Sequence, residues 1–442
     1  MKSKLLPLAL VALLFGLTVA ETIGSQTLTL DQAVALATEQ SPTAQVAQQR
    51  VAEASARVQQ ARAAFLPMLR LTSSYTVSDN PVNVFMFGLN QGEFSMAGDF
   101  NNPPTADNWQ TSAQMQYRLF AGGRDLANWR AAQSGRRGAE HMHRAIQNEL
   151  TLQVIRSYLA VLTAKEFVRA GEAAVRDFQA GEQVMKSRVD AGAALKTGLL
   201  EIQVQLAQAE ERLLQANNSL ALARESLRFA LGLDSLPYSE FVPLDELDLR
   251  EPTSPAEGER PEIQARTAML VASRAELRAA QGGYLPAVNA FAGFDHHQGR
   301  EFDGSDDSWT AGLMLEWPLF DGFLTRSQVR EKRARVHIAE QEERTARLQT
   351  SVELTTARLN LDNATRRVSV MDRAVTLATE HIELARRRFE QGLMLPSEVI
   401  DAENALFQAE AALAQAKADR HYAIAALRRA SGMSIIGETR HE

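Results

Sequence analysis

The chain has 442 residues, 45% of them hydrophobic and 23% charged, with a formal net charge of −7 and no cysteine. The missing cysteine excludes disulfides, thiol catalysis, cysteine metal centres and a lipid anchor on an N-terminal cysteine. The acidic balance argues against nucleic acid as a partner.

In chain order, residues 1–20 read as an export signal. Lys2 and Lys4 precede an apolar stretch from Leu5 to Val19, and Thr18-Val19-Ala20 supplies the small residues a signal peptidase accepts, with cleavage after Ala20. The stretch is too short and wrongly flanked for a membrane helix. Without Lys2 and Lys4 the exported chain carries a net charge of about −9.

The rest says most things twice. Phe65-Leu66-Pro67 returns as Tyr284-Leu285-Pro286 and Pro42 as Pro261, at one common offset. Trp109, Leu119-Phe120 and Arg188-x-x-x-Gly192 return at a second offset as Trp309, Leu319-Phe320 and Arg388-x-x-x-Gly392. Such a repeat points to a duplicated structural unit. The first unit is assigned to residues 21–232, a linker rich in Pro, Asp and Glu to 233–258, the second unit to 259–432, and a tail to 433–442.

Within the first unit a helix is expected from Thr29 to Ala64, followed by strands at 69–78 and 109–118. In the second strand Trp109, Thr111, Ala113, Met115, Tyr117 and Leu119 alternate with Gln110, Ser112, Gln114, Gln116 and Arg118. The loop between them, Asn80 to Asn108, is expected to fold over or into a barrel mouth. Proline is absent from Thr105 to Leu236, from Leu319 to Leu395 and after Pro396, so long helices can run there. One is expected from Arg124 to Asp190, with a turn at Ala191-Gly192 and a return from Leu195 to Leu231. The hairpin tip lies near 188–198. Leu199, Ile202, Leu206, Ala209, Leu213, Ala216, Leu220, Ala223 and Leu227 form a coiled-coil seam on the returning helix. The second unit repeats the course with strands at 287–295 and 309–318, a helix from Thr325 to Gln391, and a tip near 388–398. Its seam runs from Val399 through Ala402 to Leu427.

Ten-residue alternating segments ending in Trp109, Tyr117, Trp309 and Trp317 have the length and interfacial aromatics of membrane β-strands. Four strands cannot close a barrel, so a chain that spans a membrane this way must oligomerise, and three copies would supply twelve strands. The competing reading is a periplasmic coiled-coil structural or adaptor protein with no membrane barrel. Alternating strands tipped with tryptophan speak against it.

The sequence resembles the TolC family of outer-membrane efflux proteins over nearly all of its exported length. The resemblance rests on the duplicated aromatic-Leu-Pro, the aromatic-x-Leu-Phe-x-Gly elements Tyr117–Gly122 and Trp317–Gly322, and Arg388-Phe389-x-x-Gly392 followed by Ser397-Glu398-Val399-Ile400-x-Ala402. It implies a homotrimer: a twelve-stranded barrel in the outer membrane of a Gram-negative bacterium, continued by a twelve-helix periplasmic α-barrel. It implies a passive exit duct of a tripartite efflux or type I secretion system. The duct would export small molecules, metal ions or proteins and work with a periplasmic adaptor and an inner-membrane pump of the RND or ABC type. The linker would form a belt around the middle of the tube.

By the same resemblance, Glu398 and Asp401 match the carboxylates that ring the narrow periplasmic entrance. Gly198 and Met394 stand where the family's archetype has an acid and a base, so its polar lock does not carry over. Gly192 and Gly392 are expected to supply positive backbone angles at the turns. The tips with Arg188, Leu195, Arg388 and Leu395 are expected to meet the adaptor. No catalytic arrangement, cofactor motif or resident metal site is expected. His141 and His143 face different sides of a helix, and His296, His297, Asp303, Asp306 and Asp307 read as an ordinary external loop.

Overall fold

Strand β1 (Thr27–Leu28) leads into α1 (Leu30–Gln40), opened by a reciprocal cap in which Thr29 Oγ1 accepts from Gln32 N and Gln32 Oε1 from Thr29 N, at 3.2 and 3.0 Å. The structure, a computed structural model, describes residues 27–93, 95, 99, 101–247, 249, 251 and 259–436. The export signal, linker residues 252–258 and the tail from 437 onward lie outside the described residues.

The single helix expected from Thr29 to Ala64 is two helices. Ser41 precedes a proline, which disfavours the helical basin, and its ψ of 130° breaks the run. Pro42 then opens α2 (Pro42–Ala63), where a missing N–H costs nothing. The chain enters β2 (Met68–Ser78), and a further correction follows it: the loop after β2 contains a helix, α3 (Pro81–Asn90), capped by Asn80 Oδ1 accepting from Val82 N at 3.0 Å. After it come β3 (Ala106–Ala121), α4 (Arg124–Asp190) and α5 (Lys196–Leu231). A short β4 (Glu240–Phe241) precedes the second unit, which runs α6 (Pro261–Gln281), β5 (Ala287–Gln298), β6 (Ser305–Glu316), α7 (Leu324–Glu390) and α8 (Pro396–Ala430). Strand β6 therefore ends at Glu316, short of the expected 318, with Pro318 just beyond.

Helices α4 and α7 each have 67 residues, about 100 Å at the α-helical rise. The Leu/Ala seams of α5 and α8 are buried or half-buried throughout, Ile202, Ala209, Leu227, Ala402 and Ala416 fully so. In the half of the helical body next to the sheet, the packing order is α2, α4, α6, α7; in the distal half it is α5, α4, α8, α7. Helix α7 thus forms one edge along its whole length, and α2 followed by α5 forms the other.

The four long strands make one antiparallel sheet in the order β2-β3-β5-β6, leaving β2 and β6 as unpaired edges. Gln110, His297 and Asp306 fall in one cross-strand row, and Ser112 and Asp295 in another on the same face. Leu69, Leu71, Val77, Trp309, Leu313 and Leu315 lie on the opposite face and are all exposed. No helix among the described residues is long and apolar enough to cross a membrane.

Where α1, the middle of α4 and the linker meet, a main core forms around Tyr158, which is fully buried. Its hydroxyl donates to Leu28 O at 2.7 Å and accepts from Val242 N at 3.0 Å, tying the parallel pair β1–β4 to α4. Lys417 to Asp245 (2.7 Å) and Arg420 to Glu251 (3.1 Å) fasten the same linker to α8. The described part of the linker therefore lies against α4 and α8 at mid-length of the helical body.

Candidate channel entrance

Both long hairpins turn at the end of the helical body farthest from the sheet, and each turn is a glycine in the left-handed region. Gly192 has φ +71 and Gly392 φ +77, and a Cβ added at either would meet open space. Each closes its helix with the paired bonds of a Schellman turn: Ala193 N to Arg188 O and Gly192 N to Val189 O, then Leu393 N to Arg388 O and Gly392 N to Phe389 O, all 2.8–3.0 Å. Leu195 and Leu395 begin the returning helices in extended geometry and project into solvent, 78% and 66% exposed.

The two acidic candidates do different things. Glu398 sits in the first turn of α8, and its Oε2 accepts from Leu395 N at 3.0 Å. It therefore satisfies an otherwise free N–H at the helix start. Asp401 is exposed one turn on and shares a groove of about 520 Å³ between α5 and α8 with Glu201, Leu200 and Val204. Glu201 did not emerge from the sequence reading, although it is the direct repeat mate of Asp401. Gly198, the repeat mate of Glu398, has a packing reason: a Cβ there would lie 3.2 Å from Pro396 Cγ and 3.4 Å from Met185 Cε, so the two hairpins meet at this glycine.

Arg188 lies in the last turn of α4, at the tip of the first hairpin. It crosses to the second hairpin, where its Nη2 donates to Phe389 O (2.8 Å) and Glu390 O (2.7 Å), the last carbonyls of α7. Its guanidinium stands 5.0 Å from the Phe389 ring centroid. Phe389 O thus accepts from both Gly392 N and Arg188, Glu390 O gains a charged donor, and the cation complements the helix dipole. Arg388, its repeat mate, is exposed and forms no side-chain bond to the described residues of its own chain.

Behind the clamp, Met394 packs with Ile382, Ala385 and Ala402 and reaches the Phe178–Met185–Ile202 cluster of the first hairpin. The contact between the hairpins at Met394 is thus apolar. Two turns deeper, Arg386 bridges the hairpins, with Nη2 2.6 Å from Asp177 Oδ2 on α4 and 2.6 Å from Glu403 Oε1 on α8. Burial raises the Glu403 carboxyl above the ordinary glutamate value, and Arg386 offsets this only in part. Burial pulls Arg386 down, but the two carboxylates outweigh it and hold it above the usual arginine range. The partners pull in different directions because Glu403 is much the more buried, its side chain 6% exposed against 41%.

At the sheet end the aromatics fall into two levels. Trp109 and Trp309 lie towards the loop ends of the strands, while Tyr117 and Trp317 lie towards the helices. Trp109 Nε1 donates to Ser73 Oγ at 2.7 Å and Trp317 Nε1 to Tyr284 O at 3.1 Å, so both indole N–H groups are satisfied internally. His296 pairs with Asp307 at 2.6 Å and His297 with Asn108 at 3.2 Å. Among the described residues no group of three or more His, Cys, Asp or Glu could hold a metal ion.

The outer membrane efflux protein family matches residues 33–233 and 253–433. Protein CyaE of Bordetella pertussis is 24% identical over 70% of this chain and 64% of its own length. The chain thus spans just under two thirds of that relative. The outer membrane protein TolC of Vibrio cholerae is 24% identical over 88% of this chain and 86% of its own. The solved outer membrane protein VceC of Vibrio cholerae superposes with a TM-score of 0.75 at 20% identity, covering 92% of this chain and 97% of that one.

Proposed function

The chain belongs to the outer membrane efflux protein family, and we propose that three copies form a passive exit duct through the outer membrane and periplasm, loaded by a partner pump. One observation carries this reading: a single chain ends in an open four-stranded sheet whose edges, β2 and β6, are both unpaired. In lipid, each unpaired N–H and C=O on such an edge would cost several kcal/mol, so the edges must pair between copies. The helical edges agree. The distal half of helix α7 exposes Leu359 and Leu377, while α5 exposes Leu214, Leu222 and Phe229, and circular closure would bring these faces together.

Twelve strands would enclose an open lumen, lined by the polar face of the sheet and ringed outside by apolar side chains and two aromatic girdles. The soluble coiled-coil reading leaves that outward apolar face without a purpose, and membership of an outer-membrane family sets it aside. No site for catalysis is part of the proposal. A periplasmic adaptor would grip the exposed leucines Leu195 and Leu395 at the hairpin tips, and an inner-membrane pump of the RND or ABC type would supply the energy.

At the entrance, three copies each of Asp401, Glu201 and Glu398 would crowd carboxylates around the axis. Such a ring repels anions and binds divalent cations that block conduction. The test is single-channel recording in planar bilayers with Asp401→Asn/Glu201→Gln and, separately, Glu398→Gln. Gln can keep the acceptor oxygen for Leu395 N, so a change in the last variant reports charge rather than a lost cap. Cation-selective steps, with divalent block lost in the first variant, are expected. Unaltered block would remove the ring and leave the duct.

A further inference from the structure

Helix α3 carries no charge over Pro81–Asn90, and its polar side chains are those of Asn83 and Asn90. One face, with Val84 and Gly88, is buried against its own chain, and the opposite face presents Val82, Met86 and Leu89, which are 69%, 44% and 40% exposed. An apolar helix face of this kind is stabilised only when something covers it. In a single chain this face of α3 is uncovered.

The position of α3 says what can cover it. The helix is anchored by Gln91, 1% exposed, whose Nε2 donates to Asp107 O at 2.9 Å and Asn108 Oδ1 at 3.1 Å. Asn108 continues the row of Gln110, Ser112 and Gln114, the polar face that turns towards the lumen once the sheet closes. Gly92 lies on the same face of β6, where a Cβ would meet the Asp306 side chain at 3.5 Å. The helix is therefore seated on the lumen side of the sheet's outer rim, spanning from β3 to β6.

We propose that the α3 helices of three copies meet over the barrel mouth and form an apolar plug, each covering the Val82–Met86–Leu89 face of its neighbours. The proposal rests on the trimeric barrel reading. Twelve tilted strands enclose a barrel of about 12 Å radius, and a helix is about 10 Å across. Three helices seated inside that rim cannot avoid one another. The duct would then be shut at two ends by different means, an acidic, polar entrance and an apolar outer mouth.

The absence of native cysteine makes the test direct. Leu89→Cys is expressed in outer membranes, treated with an oxidant or a short bis-maleimide, and resolved on denaturing gels, with native electrophoresis run in parallel. The expected result is loss of the monomer band into cross-linked dimers for about two of every three chains, since three thiols around one axis close one disulfide. Glu301→Cys, on the exposed outer loop, serves as the control and is expected to stay monomeric. Intact native trimers in which Leu89→Cys does not cross-link would overturn the plug. Quenching by brominated lipid of a fluorophore attached to the introduced thiol would assign the face to the outer leaflet, and rapid labelling of that thiol by a membrane-impermeant maleimide would show an open mouth; either overturns it. Loss of the trimer on native gels for the otherwise wild-type chain would instead overturn the barrel reading beneath it.

Discussion

Replacing Arg188 with methionine should loosen the periplasmic entrance while leaving the protein folded. The side chain makes two short charge-assisted hydrogen bonds to the end of α7 and stands 5.0 Å from the Phe389 ring. Bonds to a charged group contribute about 1.5–3 kcal/mol each when well buried, and a cation over a ring adds about 0.5–1 kcal/mol at exposed sites. Arg188 is only half-buried, so screening reduces the total, and about 2–3 kcal/mol is a fair figure for the whole clamp. At 1.4 kcal/mol per decade, that corresponds to a shift of about 30- to 150-fold in the opening equilibrium, if opening requires the second hairpin to move away from the first. Open probability in planar bilayers is the assay, with thermal unfolding of the same sample as a folding control. Arg188→Lys, which keeps the charge but lacks the planar fork, should fall between the two. A folded Arg188→Met trimer with wild-type open probability would refute the clamp as a gate element.

Arg386→Met should lower the unfolding midpoint, because Glu403 stays buried without its partner, a situation that costs about 3–5 kcal/mol when the charge is retained and less here because Arg386 is partly exposed. Adding Glu403→Gln to it should recover most of the loss, measured by thermal unfolding in detergent. The raised Glu403 pKa has a pH consequence: the folded state keeps a proton that the unfolded chain has released above the ordinary glutamate value of 4.5. Stability from this group is therefore greatest below that value and falls as pH rises towards the raised one, so unfolding midpoints of wild type relative to Glu403→Gln should decline across that window. Glu398→Ala, which removes the acceptor for Leu395 N, should cost about 0.5–2 kcal/mol as a lost cap, and Glu398→Gln should cost less.

The long elements were legible because their signals repeat. Helix α5 holds one 3-4 register from Leu199 to Leu227, and the strands alternate over ten positions. Helix α4 occupies the expected Arg124–Asp190 because no proline interrupts it and Gly123 and Gly192 bracket it. Short-range information was misread where one residue outweighs a long pattern. Pro42 splits the first helix through its effect on Ser41, and Asn80-Pro81, a cap followed by a first-turn proline, marked α3 inside what looked like loop. At the entrance, side-chain type was legible but partnership was not. Arg188 repeats as Arg388, yet nothing in the sequence tells that one folds across to Phe389 O while the other remains open. Glu201 could have been found by carrying Asp401 back through the repeat. It was missed because its neighbour Gly198 breaks the acidic pattern, for a packing reason visible only once Pro396 is seen against it.

That inequality between repeat mates leads to a last expectation. In a closed trimer each second hairpin meets the first hairpin of the next copy, so Arg388 would face the neighbour's α4 terminus as Arg188 faces the α7 terminus of its own chain. The carbonyls awaiting it are those of Val189 and Asp190, the repeat mates of Phe389 and Glu390. Valine offers no ring, so this second clamp lacks the aromatic contact, worth about 0.5–1 kcal/mol at exposed sites. The weaker clamp would then lie between copies and the stronger within them, so opening should begin at the boundaries between copies. Arg388→Met should then raise open probability by a smaller factor than Arg188→Met, and Val189→Phe should lower it below wild type by supplying the missing ring. If Val189→Phe opened the channel or left it unaltered in a folded trimer, Arg388 would have no place on the neighbour's helix end, and the two arginines would share a sequence motif without sharing a role.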